Sequence, residues 1–199
     1  MTDVRAVPTR ERLIDAAAGA LQDGGYATAS VAEIAARAGV SAGALYRHFP
    51  SKAELFVEVF RSYAQRDLMA MHDAGDTAGS YIARLVAVVE TYAGNALANR
   101  RLAWALVYEP VDPMVDAERL THRRTYREQM AELLRLAMDA GEIPVHQDPE
   151  LLAAMVTGGI AEALAGPLSP VADRADPGEV TAAIVALVLR IVGAPQSSI

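Results

Sequence analysis

The chain has 199 residues, 52% of them apolar and 22% charged, with no cysteine and a formal net charge of −7. Disulfides and thiolate zinc sites are thereby excluded. The start, MTDVRAVPTRER, holds no apolar segment of the signal-peptide kind. No uninterrupted apolar run reaches membrane-spanning length, since the late run 182–189 is short and is followed by Arg190. A cytoplasmic protein with no membrane partner is the expectation. The charge is unevenly spread: residues 1–52 carry six basic and five acidic residues, whereas the remainder carries 12 basic and 20 acidic ones. That asymmetry suggests two parts with two tasks.

Alanine, leucine, valine and glutamate favour helix. The first helix is expected after Pro8, with Leu13, Ile14, Ala17, Ala20 and Leu21 at helical spacing and Gly24-Gly25 as its end. Ser30 and Glu33 have capping-box spacing and open a short helix over about 31–38, with Gly39 at its C′ position. Ser41 caps a very short helix through Ala44, Leu45 and Tyr46, which Pro50 stops. Ser51 and Glu54 form a second capping box before a helix that carries Leu55, Phe56, Val59, Phe60 and Tyr63 and ends near Gly75. Further helices are expected over about 78–98, 100–109, 113–140, 149–165 and 177–193. Three of these are preceded by Asp-Pro, with Asp at the N-cap and Pro at the first helical position. No strand pattern and no repeat is present. The prediction is an all-α chain of nine helices.

A helix, a glycine-containing turn and a second short helix over 31–48 make a helix-turn-helix, whose second helix enters the major groove of DNA. Small residues at Ala42, Gly43 and Ala44 permit close approach. Tyr46, His48 and Lys52 offer donors to flanking phosphates, which fix register while base edges specify sequence. Lys52 also lies near the free N–H groups that begin the next helix. Ser30 and Ser51 are caps first, with any phosphate contact secondary. Leu45, Phe49, Phe56, Ile34 and Val40 are read as core.

Residues 9–60, and above all the run SVAEIAARAGVSAGALYRHFPSKAELF, resemble the DNA-binding domain of the tetracycline-repressor (TetR) family of bacterial transcription regulators. The resemblance implies that Tyr46, His48 and Lys52 touch the DNA backbone and that Ser41, Ala42 and Gly43 lie at the groove. It places Ala32 where a residue can touch bases, and Ser30 beside it. Because Ala42 and Gly43 offer no hydrogen-bonding side chain, specificity is expected to rest on Arg47, backbone approach and DNA shape. The resemblance further implies a DNA-binding domain, set here at 1–52, followed by a helical domain, 53–199, that binds a small ligand and dimerises through its last two long helices.

The second part carries no specific motif. Its last helix bears Val180, Ile184, Leu187, Val188 and Ile191 on one stripe and Val185, Leu189 and Val192 on another, so it must be buried on nearly all sides. A partner subunit is expected to cover one of them. Gly158, Gly159, Ala161, Ala163 and Ala165 allow close approach of the preceding helix. Tyr92, Trp104, Tyr108, Tyr126, Met130 and Met155 are the candidate lining of a pocket for an apolar or amphipathic ligand, against the plainer reading of such residues as core. The basic run Arg119, His122, Arg123, Arg124 and Arg127 reads as a solvated helix face, with Arg124 and Glu128 paired at i,i+4. The four histidines are scattered, and no metal, cofactor or catalytic pair is indicated. The expected function is therefore a non-enzymatic, homodimeric repressor that leaves a pseudo-palindromic operator on binding a ligand. A ligand-blind or activating regulator, or a helical binding or catalytic domain with a merely structural start, are the alternatives.

Overall fold

The protein, seen as a computed structural model, is described over residues 7–194 apart from 172 and 174. Among the described residues there are nine helices and no strand: α1 (Thr9–Thr28), α2 (Val31–Arg37), α3 (Ala42–His48), α4 (Lys52–Asp76), α5 (Tyr81–Ala98), α6 (Arg100–Val107), α7 (Pro113–Asp139), α8 (Pro149–Leu168) and α9 (Pro177–Val192). The Asp-Pro starts form as local chemistry dictates. Asp112, Asp148 and Asp176 each accept a backbone N–H at the head of α7, α8 and α9, at 2.9 Å in every case. Helix ends differ modestly from the sequence expectation. The backbone breaks at Gly25, with φ +80°, yet one further turn carries α1 to Thr28. Helix α8 runs three residues past the expected end at 165, through Gly166 and Pro167 to Leu168.

Two apolar cores divide the chain. The amino-terminal core gathers Leu13 and Leu21 of α1, Ile34 of α2, Leu45 of α3 and Phe56 of α4. It also takes Leu102 and Ala105 from α6 and Val115 from α7. The carboxy-terminal core is built from α5, α7, α8 and α9 around Leu85, Val89, Leu134, Val156, Leu164 and Val188. A boundary at residue 52 follows the Ser51 cap, whereas burial runs further: Leu55, Phe56, Val57 and Val59 belong to the amino-terminal core. Helix α4 then continues against α5 and α7, so it is shared by both parts.

Helix α8 amends one expectation from the sequence. By length and composition its 20 residues are apolar enough to cross a membrane, although no unbroken apolar run is long enough. Here it packs against α7, α9, α6 and α5. Only a third of its most apolar window is buried. Leu151 and Met155 remain 63% and 56% exposed on it, beside exposed Leu187 and Ile191 of α9.

Candidate nucleic-acid interface and ligand cavity

The helix-turn-helix is set by short-range geometry. Ser30 Oγ accepts the Glu33 N–H, and Ser41 Oγ accepts the Ala44 N–H, both at 3.1 Å, which fixes where α2 and α3 begin. The Glu33 carboxylate pairs with Arg37 at 2.5 Å, and Arg37 also binds Asp23. Between the helices Gly39 takes φ +68°, a left-handed conformation that costs glycine little. Leu45 and Phe49 point inward and leave the outer side of α3 to Ser41, Ala42, Gly43, Tyr46, Arg47 and His48, all exposed. Ser30 and Ala32 are exposed beside them. Among the described residues, Tyr46 and Arg47 make no hydrogen bond or ion pair, and His48 has only a ring contact with Phe49 at 6.5 Å. A Cβ on Gly43 would meet nothing closer than Ser41 Oγ at 3.9 Å. The fold therefore does not itself require glycine there. This face offers donors and a closely approachable backbone, the pattern a recognition helix needs.

Lys52, expected from the sequence to offer its amine to a DNA phosphate, also has a structural bond. Its Nζ donates to the Tyr26 carbonyl at 2.6 Å and lies 4.4 Å from the Tyr26 ring centroid. Burial holds its pKa below the usual lysine value. Lys52 thus ties the start of α4 to the end of α1. The adjoining Arg10 is likewise committed, pairing with Glu58 and lying 5.2 Å from the Phe49 ring centroid.

In the second part, α4, α5, α7, α8 and the end of α6 enclose a cavity of about 1100 Å³. Tyr92, Tyr108, Tyr126 and Met130 line it. Trp104 and Met155 do not. Trp104 lies behind the wall, stacked on Tyr108 with centroids 5.0 Å apart, and packs against the carboxy-terminal core. Met155, about a quarter turn round α8 from the lining residue Ala154, points to the exterior instead, where it is 56% exposed. Tyr92 and Tyr126 meet edge to face at 5.8 Å. The Tyr126 hydroxyl reaches the Ala64 carbonyl at 3.4 Å, and the Tyr108 hydroxyl binds the Ala161 carbonyl. Burial raises the pKa of all three phenols, that of Tyr108 to about 12.

The basic run on α7 is not the fully solvated face expected of it. Arg119, His122, Arg123, Arg124 and Arg127 all line the cavity, although Arg124 also stands 3.9 Å from Glu128. Arg119 is buried and donates to the carbonyls of Ala105, Leu106 and Glu109 at 2.9, 2.6 and 2.9 Å, capping the end of α6. Glu109, read from sequence as a mere helix end, accepts the Tyr26 N–H at 2.9 Å and pairs with Arg101. A Cβ on Gly25 would clash with that carboxylate. The amino-terminal part, α6 and the cavity wall are therefore joined by one chain of contacts. These partners lie 83 residues apart in Tyr26 and Glu109. Only the (10 to 14)-residue reach of Arg119 is local enough to suggest itself from spacing.

Comparison with known proteins agrees with this geometry. Residues 13–59 match the family of bacterial regulatory proteins, tetR family. The chain is 46% identical to the HTH-type transcriptional regulator CymR of Pseudomonas putida over 56 residues, 28% of each protein. It is 28% identical to the regulator SrpR of Pseudomonas putida over 170 residues, 82% of this chain and 78% of SrpR. The fold is similar to that of FadR from Bacillus subtilis, solved in complex with stearoyl-CoA, with a TM-score of 0.78 at 20% identity over 89% of this chain and 96% of FadR. A helix-turn-helix with a free outer face, matched over residues 13–59 by the family of bacterial regulatory proteins, tetR family, and followed by a cavity-bearing helical domain, makes this chain similar to the TetR-family transcriptional regulators.

Proposed function

We propose that the protein is a homodimeric repressor that holds a pseudo-palindromic operator with α3 and leaves it when an apolar or amphipathic small molecule enters the cavity. The observation that carries this reading is the sharing of elements. Helix α4 supplies Phe60 to the cavity and Phe56 to the amino-terminal core, and α6 supplies Leu106 to the cavity and Leu102 to that same core. A ligand that reshapes the cavity therefore moves residues on which the reading head rests. Coupling of this kind is typically about 1–3 kcal/mol. FadR, with its stearoyl-CoA, is a precedent for a long acyl ligand within this architecture.

Dimerisation is supported by the apolar outer side of α8 and α9, where Leu151, Met155, Leu187 and Ile191 stand exposed near the exposed small residues Gly158, Gly159 and Ala163. Such a patch on a soluble regulator calls for a cover. A second copy supplies it isologously and sets two α3 helices about a two-fold axis. Half-sites then lie roughly 34–36 Å apart, or a multiple of this. In this reading the protein works in the cytoplasm, and is not an enzyme. Among the described residues no group of three or more His, Asp or Glu side chains is placed to hold a metal.

A mobility-shift titration with the DNA upstream of its own gene, with and without candidate ligands, tests the reading. The expected result is a retarded dimer complex on a two-fold symmetric footprint, released by ligand. A monomer on a single asymmetric half-site would overturn it.

A further inference from the structure

The arginines of the cavity are unevenly employed. Arg119 is spent on the α6 carbonyls and Arg124 stands by Glu128. Arg123 and Arg127, one turn apart on α7, make no hydrogen bond or ion pair among the described residues. Arg84 of α5 has only the Tyr81 ring, 5.5 Å from its guanidinium carbon. Three acidic residues also line the cavity. Glu132 pairs with Arg135, Asp76 meets only the His72 imidazole, and Glu162 has no ion partner, so two acidic residues stand against the three arginines Arg84, Arg123 and Arg127. The uncompensated charge of the lining is positive. Arg123 and Arg127 are exposed and so mark the mouth, whereas Val89, Met130 and Ile160 are buried and mark the floor. The Tyr92 hydroxyl accepts and donates no hydrogen bond among the described residues. Arg123 lines the cavity, and its charge works against the rise that burial gives the Tyr92 and Tyr108 pKa values.

We infer that the effector is an amphipathic anion, a long apolar chain with a carboxylate or phosphate-bearing head, whose head is read by Arg123 and Arg127 at the mouth while its chain fills the floor. This rests on the ligand-responsive reading above and adds the ligand's charge and the residues that select it. Guanidinium groups without an internal partner, above an apolar well, favour an anionic head in two ways. They gain charge-assisted hydrogen bonds, often bidentate. They also lose nothing to broken ion pairs, because none has to be given up. At about 1100 Å³ the cavity lies just above the usual range of roughly 300–1,000 Å³ for small-molecule sites, which leaves room for a long chain.

The test is calorimetric titration of the full-length protein with three probes of one chain length: hexadecanoate, its coenzyme A thioester and the uncharged alcohol hexadecanol. The wild type is expected to bind at least one anionic probe about ten- to a hundredfold more tightly than the alcohol, the range set by a few charge-assisted hydrogen bonds. In R123Q/R127Q that preference collapses while the alcohol is still held, and R123K/R127K restores part of it. A lost fold would weaken all three probes together, so the alcohol separates selection from stability. Preference for hexadecanoate assigns a carboxylate head, and preference for the thioester assigns a phosphate-bearing one. Equal binding of the alcohol and both anions by the wild type would overturn this inference and leave the ligand-responsive reading intact. Binding of none of the three would overturn it too, and operator release by some other, uncharged molecule would then show that only the charge assignment had failed.

Discussion

The two halves of the molecule hold their functional residues in opposite ways. On α3 the exposed side chains are idle inside the chain: Tyr46 and Arg47 have no partner among the described residues, and Gly43 has open space around it. In the wall of the cavity the more deeply placed polar groups are engaged, as with Arg119 on three carbonyls and Tyr108 on Ala161, whereas Arg123 and Arg127 at the mouth stand in water. A face that meets a large rigid partner can leave its donors waiting in water at little cost. A buried wall cannot, because an unpaired polar group in an apolar setting costs roughly 1–3 kcal/mol. It follows that substitutions on α3 should change DNA binding without changing stability, whereas those in the wall should change both.

The largest expected effect comes from Arg119→Leu. The substitution strands the carbonyls of Ala105, Leu106 and Glu109, which Arg119 now satisfies. With each of the three stranded groups near the lower end of the usual cost of about 1–3 kcal/mol, a total loss of roughly 3–5 kcal/mol is expected. For a chain of this size that lowers the melting temperature by roughly 10 °C. Thermal denaturation checks this, and an unchanged midpoint would remove Arg119 from the joint between α6 and α7.

Leu187→Glu comes next, and it probes a face rather than a wall. Leu187 is 51% exposed on α9, so the folded protomer should tolerate the change. An isologous interface would bury the new carboxylate twice, close to its own two-fold copy. An association loss on the order of 3 kcal/mol, about a hundredfold, is expected from burying such a group unpaired. Sedimentation should show the dimer dissociating at micromolar concentration, with operator affinity falling in parallel and the melting of the protomer little changed.

The same contrast explains what could be read from the sequence. The caps at Ser30, Ser41 and Ser51 and the turn at Gly39 are local events, decided within four residues, so the helix-turn-helix was legible down to single positions. The cavity was not. Tyr92, Tyr108, Tyr126 and Met130 stand at helical spacing that suits either core or lining, and Trp104 and Met155 share that spacing yet lie behind the wall and on the outer face. Periodicity tells which way a residue leans from its own helix, not what lies opposite. Lys52 shows the converse case. Its place in the motif suggested a phosphate contact, while its hold on Tyr26, 26 residues earlier, follows only from how α1 meets α4. The Arg119 cap, although its partners lie only 10 to 14 residues back, was masked by the run of arginines around it, which on a helix more often faces water.

A smaller effect sharpens the contrast from the DNA side. Gly43→Ala adds a methyl where the chain has room, its nearest neighbour being Ser41 Oγ at 3.9 Å. Within α3 the exchange should raise helix stability by up to about 1 kcal/mol. At the groove the same methyl intrudes on whatever approaches, with a cost of roughly 1–3 kcal/mol, or tenfold and more in operator affinity. Melting and mobility shift should therefore move in opposite directions. A variant that is more stable and binds its operator as well as the wild type would show that Gly43 is not a point of close approach.

The smallest expected effect is a pH dependence in the wall. Asp67 of α4 accepts a hydrogen bond from Asn95 of α5 at 3.1 Å, and burial raises its pKa above the ordinary carboxylate value in spite of that bond. A folded-state pKa above the unfolded one gives a contribution that is fully present below the unfolded pKa, near 3.9, and is lost as pH rises through the folded one. Where the carboxylate is ionised it is therefore held in a place that burial disfavours. Asp67→Asn removes that charge and keeps an oxygen able to accept from Asn95. The variant should melt above the wild type at pH 7, by no more than about 2–4 °C, which corresponds to roughly 1 kcal/mol for a chain of this length. The gap should shrink as pH falls and close below about pH 4, where the aspartate is protonated in both states. Melting curves across pH 4–8 check this. A gap that widens toward low pH would mean that the Asp67 charge stabilises the wall, and that its bond to Asn95 outweighs burial.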